Sequence, residues 1–580
     1  MTRNDSVSIN IEQQVQNQIA FTKLYGYMRY FYPSTETQGI NWGKVAILGS
    51  ALVNNAANSS ELVDLLTQFF SPITPALKVY LNSSPSILNK KELIPEDTTG
   101  AKKVFYQHYF VQLDVNSIVD EYNPKDTIFG KLDKYPKAGE FHTYRLNEDI
   151  SASFPLALYQ IDNKTYPPAD KDKFNTFIKN MDEFNDIYDI TKPAIRFGYI
   201  AMAWNILQHF YPYFDVVNTN WNQTLTNALT KSIKDSNEVM FTATLKKILV
   251  DLHDGHAYVD GKESEDIYAP NFDWEWLENK LVITKIYDST LNISIGDVIE
   301  EIDGIPAITA IENTEKNITG ATTGWMRIKV NSRFYNSSIC RVLFGKKNTQ
   351  VKLKLRDPQK KTKELFLNRT TMLIPGNEIA TPISFSEIKK GIVYVNLSVS
   401  DMEMIKQNIE KLESARGIIF DLRGYPKGNH EIIQHLIDTN VASAIWCKPF
   451  TVFPDRENIQ FDLAKRWDLP PIKPRLKAKI VFLTNAKAIS YAESIMGIIE
   501  AYKLADVIGE PTAGTNGNVS SFTFPNGYTF RFTGMKVLKH NGSQHHGIGI
   551  QPTIPVSPTI KGFLTGKDEQ LEKAIEVLSK

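Results

Sequence analysis

Residues Ala478–Gly509 read AKIVFLTNAKAISYAESIMGIIEAYKLADVIG. The apolar run Lys479–Leu483 has the length of a buried strand. SYAESIMGIIEAYKLA repeats its apolar residues at helical spacing, and DVIG opens a second short strand. Strand, helix and strand within about thirty residues make a βαβ unit, which implies a parallel sheet. Toward the N-terminus the alternation continues. GIVYVNLS from Gly391 is a strand, DMEMIKQNIEKLESA a helix, RGIIFDLRG a buried strand and NHEIIQHLIDT a helix. Toward the C-terminus, SSFTFPNGYTFRF is a hairpin around its Asn-Gly turn, and KDEQLEKAIEVLSK is a closing helix. An αβ core is therefore expected over 373–580.

The segment 265–372 has a different texture. LVITKIYDS, ISIGDVIEEIDGIPA, a polar helical stretch, QVKLKLRD and KELFLNRT give strand, turn, strand pair, helix, strand, strand. GDVIEEIDG at Gly296–Gly304 resembles the matching segment of PDZ domains, which bind peptides by adding a strand to a sheet edge. No Gly-Leu-Gly-Phe-like carboxylate loop precedes LVITKI.

Further upstream the chain repeats itself. LYGYMRYFYPS (Leu24–Ser34) resembles AWNILQHFYPYF (Ala203–Phe214). Pro33 and Pro212 lie 179 positions apart (212 − 33), the same offset as Trp42 and Trp221. Two helical modules, 1–100 and 166–264, are expected, separated by a β-rich segment at 101–165. The second module ends in LKKILVDLHDGHAYVDG and the first in LLTQFFSPITPAL, so only the second carries histidines there.

The 580 residues include 65 Lys+Arg and 65 Asp+Glu, so a strongly electrostatic nucleic-acid binder is not expected. With 42% hydrophobic and 22% charged residues the composition is that of a globular chain. Two cysteines, Cys340 and Cys447, argue against a disulfide framework or a multi-cysteine metal site. No apolar run is long enough for a transmembrane helix. The polar start MTRNDSVSINIEQQ does not read as a signal peptide.

Ser490 follows an apolar strand and opens a helix, where free N–H groups and the positive end of the dipole could stabilise an oxyanion. Ser490-Tyr-Ala-Glu493 also reads as a capping box, and no G-x-S-x-G elbow is present. The residues alone leave both readings open. His256, in Gly255-His256-Ala257-Tyr258, is a candidate general base. An imidazole's ordinary pKa near 6.5 suits a proton shuttle.

Taken together, four features resemble the serine peptidases of the C-terminal processing (tail-specific) family and the tricorn core. These are the strand–Ser-x-x-Glu–helix unit, IGEPTAGTNG, Asp421-Leu-Arg-Gly-Tyr-Pro-Lys-Gly428, and GIGIQPTIPV at Gly547–Val556, with Thr553 where Asp is usual. The resemblance covers about 196–580. It implies a multidomain α+β chain: a crotonase- or Clp-like αβ catalytic core, a PDZ-like β domain, and the duplicated N-terminal helical modules.

The processing peptidases carry a Lys base 25 positions after the Ser; here that position is Thr515, which cannot serve as a base. Lys487 is a substitute candidate. The tricorn branch takes a His from far upstream in a Ser-His-x-Tyr motif, and this implies His256 as base, with Gly255 replacing the Ser. Backbone N–H groups of Tyr491 and of the Lys427–Gly428 loop are the expected oxyanion donors. Glu493, Asp421 and Arg423 are expected as structural support. Gln544 and His546, near the place of tricorn's late Glu, are candidates to orient His256 or contact substrate; His545 lies beside them, and Asp254 is a further orienting candidate.

The resemblance implies a serine peptidase acting on peptides or protein C-terminal tails through an acyl-enzyme, without cofactor or metal. It also implies an exported bacterial envelope or periplasmic location and leaves a homo-oligomer open. Two alternatives stand beside it. One is a non-catalytic peptide- or ligand-binding protein of the same fold. The other is a zinc hydrolase using His253, His256, Asp254 and the His545–His546 pair.

Overall fold

The computed structural model describes residues 10–109, 134–262, 268–331, 342–372 and 383–580. Cys340 and the end of KKVFYQHYFVQLDV lie outside the described residues; Cys447 is a buried free thiol.

The C-terminal core is built on a six-stranded sheet. Its strands run Phe385–Lys389, Ile392–Asn396, Gly417–Asp421, Lys479–Thr484, Asp506–Gly509 and Ile554–Pro555, in chain order. The first pair is antiparallel and the rest are parallel. Both faces are covered. Ile418, Phe420, Ile480 and Phe482 pack with Ile495 and Ile498 of helix Tyr491–Tyr502. Ile419, Val481 and Leu483 pack on the other face with Ala574 of helix Glu569–Ser579. Burial on two faces explains why these strands read as continuous apolar runs. Each such side chain contributes about 1.5–3 kcal/mol.

Two expected helices take other forms. DMEMIKQNIEKLESA forms Met402–Gln407 and Ile409–Glu413, interrupted at Asn408, whose side-chain amide bonds the Met404 carbonyl at 2.9 Å. NHEIIQHLIDT forms only the 3₁₀ helix His430–His435. Asn429, at its N-cap, makes no side-chain cap bond; its amide is turned to donate to the Leu397 and Ser400 carbonyls at 2.8 and 2.7 Å.

Upstream of the core, two sets of three helices follow one another in the same order. Helices Ile11–Phe31, Trp42–Val53 and Ser59–Phe70 match Pro193–Phe210, Trp221–Ile233 and Glu238–Val250. Asn41 and Asn220 cap the second helix of each copy, and Asn58 and Asn237 the third. The Tyr25 hydroxyl bonds the Trp42 carbonyl at 3.2 Å, and Trp204 Nε1 bonds the Trp221 carbonyl at 3.0 Å. The copies pack through their first helices, with the Asn205 amide donating to the Thr22 carbonyl. At that crossing a Cβ on Gly26 would lie 1.8 Å from Asn205 Oδ1.

Each copy ends in a strand that joins a hairpin. Lys78–Leu81 pairs with Ile150–Phe154 inside the first 165 residues. Tyr258–Asp260 pairs with Thr529–Thr533 of the core hairpin, whose other strand is Val519–Thr523. The second copy is thus stitched to the core. The Leu77 N–H bonds the Thr74 carbonyl as the Ala257 N–H bonds the Asp254 carbonyl, so Ala76 stands where the second copy has His256.

Between them, Phe272–Leu277, Lys280–Ile286, Val298–Ile302, Gln350–Arg356 and Thr362–Asn368 form an antiparallel sheet, joined at its middle strand by Ile305–Pro306. The sequence reading missed Phe272–Leu277. It also merged helices Ala307–Glu315 and Thr323–Asn331 into one stretch.

Candidate active site

Ser490 ends the loop after strand Lys479–Thr484 and precedes helix Tyr491–Tyr502, with φ 60° and ψ −110°. For a residue other than glycine this backbone costs about 1–3 kcal/mol. Ala488 and Ala492, two positions to either side, are fully buried, so small residues line the turn. Alanines thus stand in A-x-S-x-A where a G-x-S-x-G elbow has glycines.

The Ser490 N–H bonds the Thr515 carbonyl at 2.9 Å and reaches Glu493 Oε2 at 3.4 Å, the backward half of the capping box. Buried Glu493 also accepts the Thr512 hydroxyl and the N–H groups of Gly514 and Thr515 at 2.8 and 2.9 Å. His545 Nε2 stands 3.3 Å from Glu493 Oε1. Glu493 therefore ties the serine turn to the GEPTAGT loop, with the double-histidine loop packed beside it.

The His256 loop reaches the same Thr515 that holds the Ser490 turn. The Gly255 N–H bonds Thr515 Oγ1 at 3.1 Å, and the Trp325 indole N–H bonds the Gly255 carbonyl at 3.2 Å. Trp325, from helix Thr323–Asn331, packs with Ile489 and Ala513. A Cβ at Gly255 would lie 2.5 Å from Thr515 Oγ1 and 3.0 Å from Trp325 Nε1, which is why glycine precedes this histidine. Thr515 thus holds the serine turn by its carbonyl and the histidine loop by its hydroxyl. His256 Nδ1 lies 2.8 Å from Thr533 Oγ1. Burial pushes the imidazole below its usual 6.5; Asp254 and Glu493 oppose this and Lys329 adds to it. The ring is neutral at neutral pH and able to accept a proton.

Tyr491 is the first residue of its helix, where N–H groups have no intrahelical acceptor. Its hydroxyl accepts the His430 N–H at 3.0 Å and lies 2.8 Å from His430 Nδ1. This docks the end of the 421–430 loop, with Gly428 at φ 64°, beside the helix N-terminus. Arg423 grips Asp421 at 2.6 Å and Asp568 at 2.7 Å, and the Tyr394 hydroxyl donates to Asp421 at 2.8 Å. Burial alone would lower the Arg423 pKa; the two carboxylates outweigh it and raise it. These contacts fasten the loop to the C-terminal helix. Lys487 is exposed, its N–H on Asn485 Oδ1.

Gln544 and His546 make no hydrogen bond to His256. The Gln544 amide donates to the His546 carbonyl, and His546 Nε2 bonds the His253 carbonyl at 3.0 Å while its ring stacks on Tyr213. Their place on Nδ1 is taken by Thr533, which the sequence reading did not single out. The pairing of Arg531 with Tyr258 would have found it, since two further residues along each strand set Thr533 opposite His256. Helix Glu238–Val250 ends before His253, which turns at φ 48°, so His253 and His256 do not share a helix face. Among the described residues no group of three or more His, Cys, Asp or Glu side chains is arranged to hold a metal ion.

Residues 385–556 match the family model described as peptidase family S41. The chain carries a peptidase S41 domain. The S41 domain spans the sheet, Ser490, the GEPTAGT loop and the core hairpin, while His256 lies outside it. The chain is 26% identical over 259 residues to a probable CtpA-like serine protease of Staphylococcus haemolyticus, covering 41% of this chain and 48% of that protein. It is 27% identical over 236 residues to a protein of the same description from Staphylococcus epidermidis, covering 38% and 43%. The chain thus spans about half the length of the curated relatives it matches. Mature CPAF has a similar fold, at a TM-score of 0.50 and 16% identity over 66% of this chain and 95% of that one. The architecture is a mixed α/β multidomain fold similar to that of mature CPAF. No helix among the described residues is long and apolar enough to cross a membrane.

Proposed function

We propose that this chain is a serine peptidase in which Ser490 is the nucleophile and His256 the general base. The observation that carries the reading is the double hold of Thr515 on the Ser490 turn and the Gly255–His256 loop. Ser490 Oγ attacks the scissile carbonyl carbon as its proton passes to His256 Nε2. The oxyanion is received by the N–H groups of Tyr491 and Gly428, each such donor contributing about 2.7–4 kcal/mol. His256 returns the proton to the leaving amine, and water releases the acyl group by the same route. The Tyr491–His430 contacts and the Asp421–Arg423–Asp568 brace support the position of the Gly428 loop.

The proposal extends to residues 265–372 as a PDZ-like domain and 373–580 as a crotonase- or Clp-like core. The antiparallel sheet with two helices supports the first, and the parallel sheet covered on both faces supports the second. Modules 1–100 and 166–264 flank a β-rich 101–165. The substrates are peptides or protein C-terminal tails, and the enzyme is exported to the envelope, as the processing peptidases are.

Ser490→Ala is expected to lower cleavage of a defined peptide mixture, read by mass spectrometry, by about 10⁴-fold or more with unchanged melting, and His256→Ala by a comparable factor. Cleavage by Ser490→Ala at the wild-type rate would refute the mechanism. A wild-type protein that binds peptides without cutting them would establish the non-catalytic alternative.

A further inference from the structure

We propose that Thr533 and Asp254 are positioning residues for His256: the Thr533 hydroxyl relays the Asp254 carboxylate to Nδ1 and fixes the imidazole in the Nδ1–H form, with Nε2 free to take the Ser490 proton. The inference rests on the peptidase reading for its use, though its geometry stands apart from it.

Asp254 is fully buried. Its Oδ1 accepts the His256 backbone N–H at 2.9 Å and the Thr533 hydroxyl at 2.7 Å, and Oδ2 accepts the Thr533 N–H at 2.6 Å. A carboxylate without a proton only accepts, so the single hydroxyl hydrogen of Thr533 is committed to Asp254. Thr533 Oγ1, 2.8 Å from His256 Nδ1, can then only accept from that nitrogen. Nδ1 must carry the hydrogen. Nε2 has no hydrogen-bond partner among the described residues and keeps its lone pair.

The carboxylate does not do this directly because it is only two positions before its histidine. It closes a turn onto the backbone N–H of its own second neighbour, the ordinary reach of a short acidic side chain. The hydroxyl from the facing strand spans the remaining gap. Asp254 is itself fixed. Its N–H donates to Thr319 Oγ1 at 3.1 Å, its carbonyl accepts the same hydroxyl at 2.9 Å, and the Lys329 ammonium donates to the Thr319 carbonyl. The charged groups facing His256 are Asp254, Glu493 and Lys329. When the ring becomes an imidazolium, the Asp254 charge is presented to it through the oriented Thr533 dipole.

The test compares Thr533→Val, which keeps the shape without the hydroxyl, with Thr533→Ser, which keeps the hydroxyl. The protein is labelled with ¹⁵N-histidine, and the His256 signals are assigned by their loss in His256→Gln. The wild type is expected to show a protonated Nδ1 and an unprotonated Nε2 at pH 8. Thr533→Val should lose that preference, and its rate of labelling by a fluorophosphonate should fall about 10²-fold or more, with Thr533→Ser restoring most of it. A wild-type ring protonated at Nε2, or a Thr533→Val protein with the wild-type tautomer and rate, would overturn the relay. A wild type that shows the expected tautomer, lost in Thr533→Val, yet resists the probe would support the relay and refute the peptidase reading instead.

Discussion

Gly255 sets the tightest test at the scale of one residue. Its Cβ position is already occupied by Thr515 Oγ1 and Trp325 Nε1, so Gly255→Ala must push the histidine loop away from the serine turn. Peptide cleavage is expected to fall about 10²-fold while melting changes little, since misplacement of about 1 Å is that costly to a reacting pair. Wild-type kinetics in Gly255→Ala would show that the close approach is not needed. The pH dependence follows from His256. Its folded pKa lies below 6.5 because burial outweighs Asp254 and Glu493, and in the proposed mechanism the neutral ring is the base. Activity should therefore hold to below pH 6.5 and fall only as the ring protonates at lower pH; an acid limb centred above 6.5 would contradict this. Ser490 and His256, the pair of the proposed mechanism, could be singled out from the sequence because each sits in a recognisable motif. Thr533 was not, because a threonine in a hairpin strand carries no mark until the opposite strand is known.

At the scale of elements, the βαβ alternation was legible because burial on two faces leaves continuous apolar strands. The break at Asn408 and the short 3₁₀ turn at His430–His435 were not, because side-chain bonds to distant or preceding carbonyls decide them. The attachment of Tyr258–Asp260 to the core hairpin was also hidden, since pairing across such a sequence distance leaves no local pattern. Helix Thr323–Asn331 reaches the site through Trp325. Trp325→Phe keeps an aromatic ring but removes the indole donor to the Gly255 carbonyl. Global stability should drop by only about 0.5–1.5 kcal/mol. If the helix steadies the histidine loop, kcat should fall by more than that loss of stability explains. An unchanged kcat would assign Trp325 to packing alone.

Across the whole molecule, both helical modules grip one turn of the core. Asp455 accepts the Tyr27 hydroxyl at 2.7 Å and the Gln208 amide at 2.8 Å, and its N–H reaches His209 Nδ1 at 3.2 Å. Asp455→Ala leaves buried donors unpaired and should lower stability by on the order of 2 kcal/mol in denaturant titration; no loss would mean that the turn is not a fastening point. Burial lowers His108 and His546 to about 4 and His209 to about 3. The folded protein holds these rings neutral while the unfolded chain protonates near 6.5. The stability is therefore complete above pH 6.5 and declines as the pH falls toward 4 and below, by several kcal/mol in all, about 1.4 kcal/mol for each tenfold shift in proton affinity. A melting temperature that stays flat from pH 7 to 4 would argue against it. The repeat was legible as a fixed offset between prolines and tryptophans, but its asymmetry of purpose was not. One strand stays with its own module, and the other delivers His256 to the S41 domain. That delivery is tested most directly by treating the full chain with a fluorophosphonate and mapping the adduct. Modification is expected at Ser490, abolished in Ser490→Ala and strongly slowed in His256→Ala. Labelling of Ser490 at an equal rate in His256→Ala would contradict it.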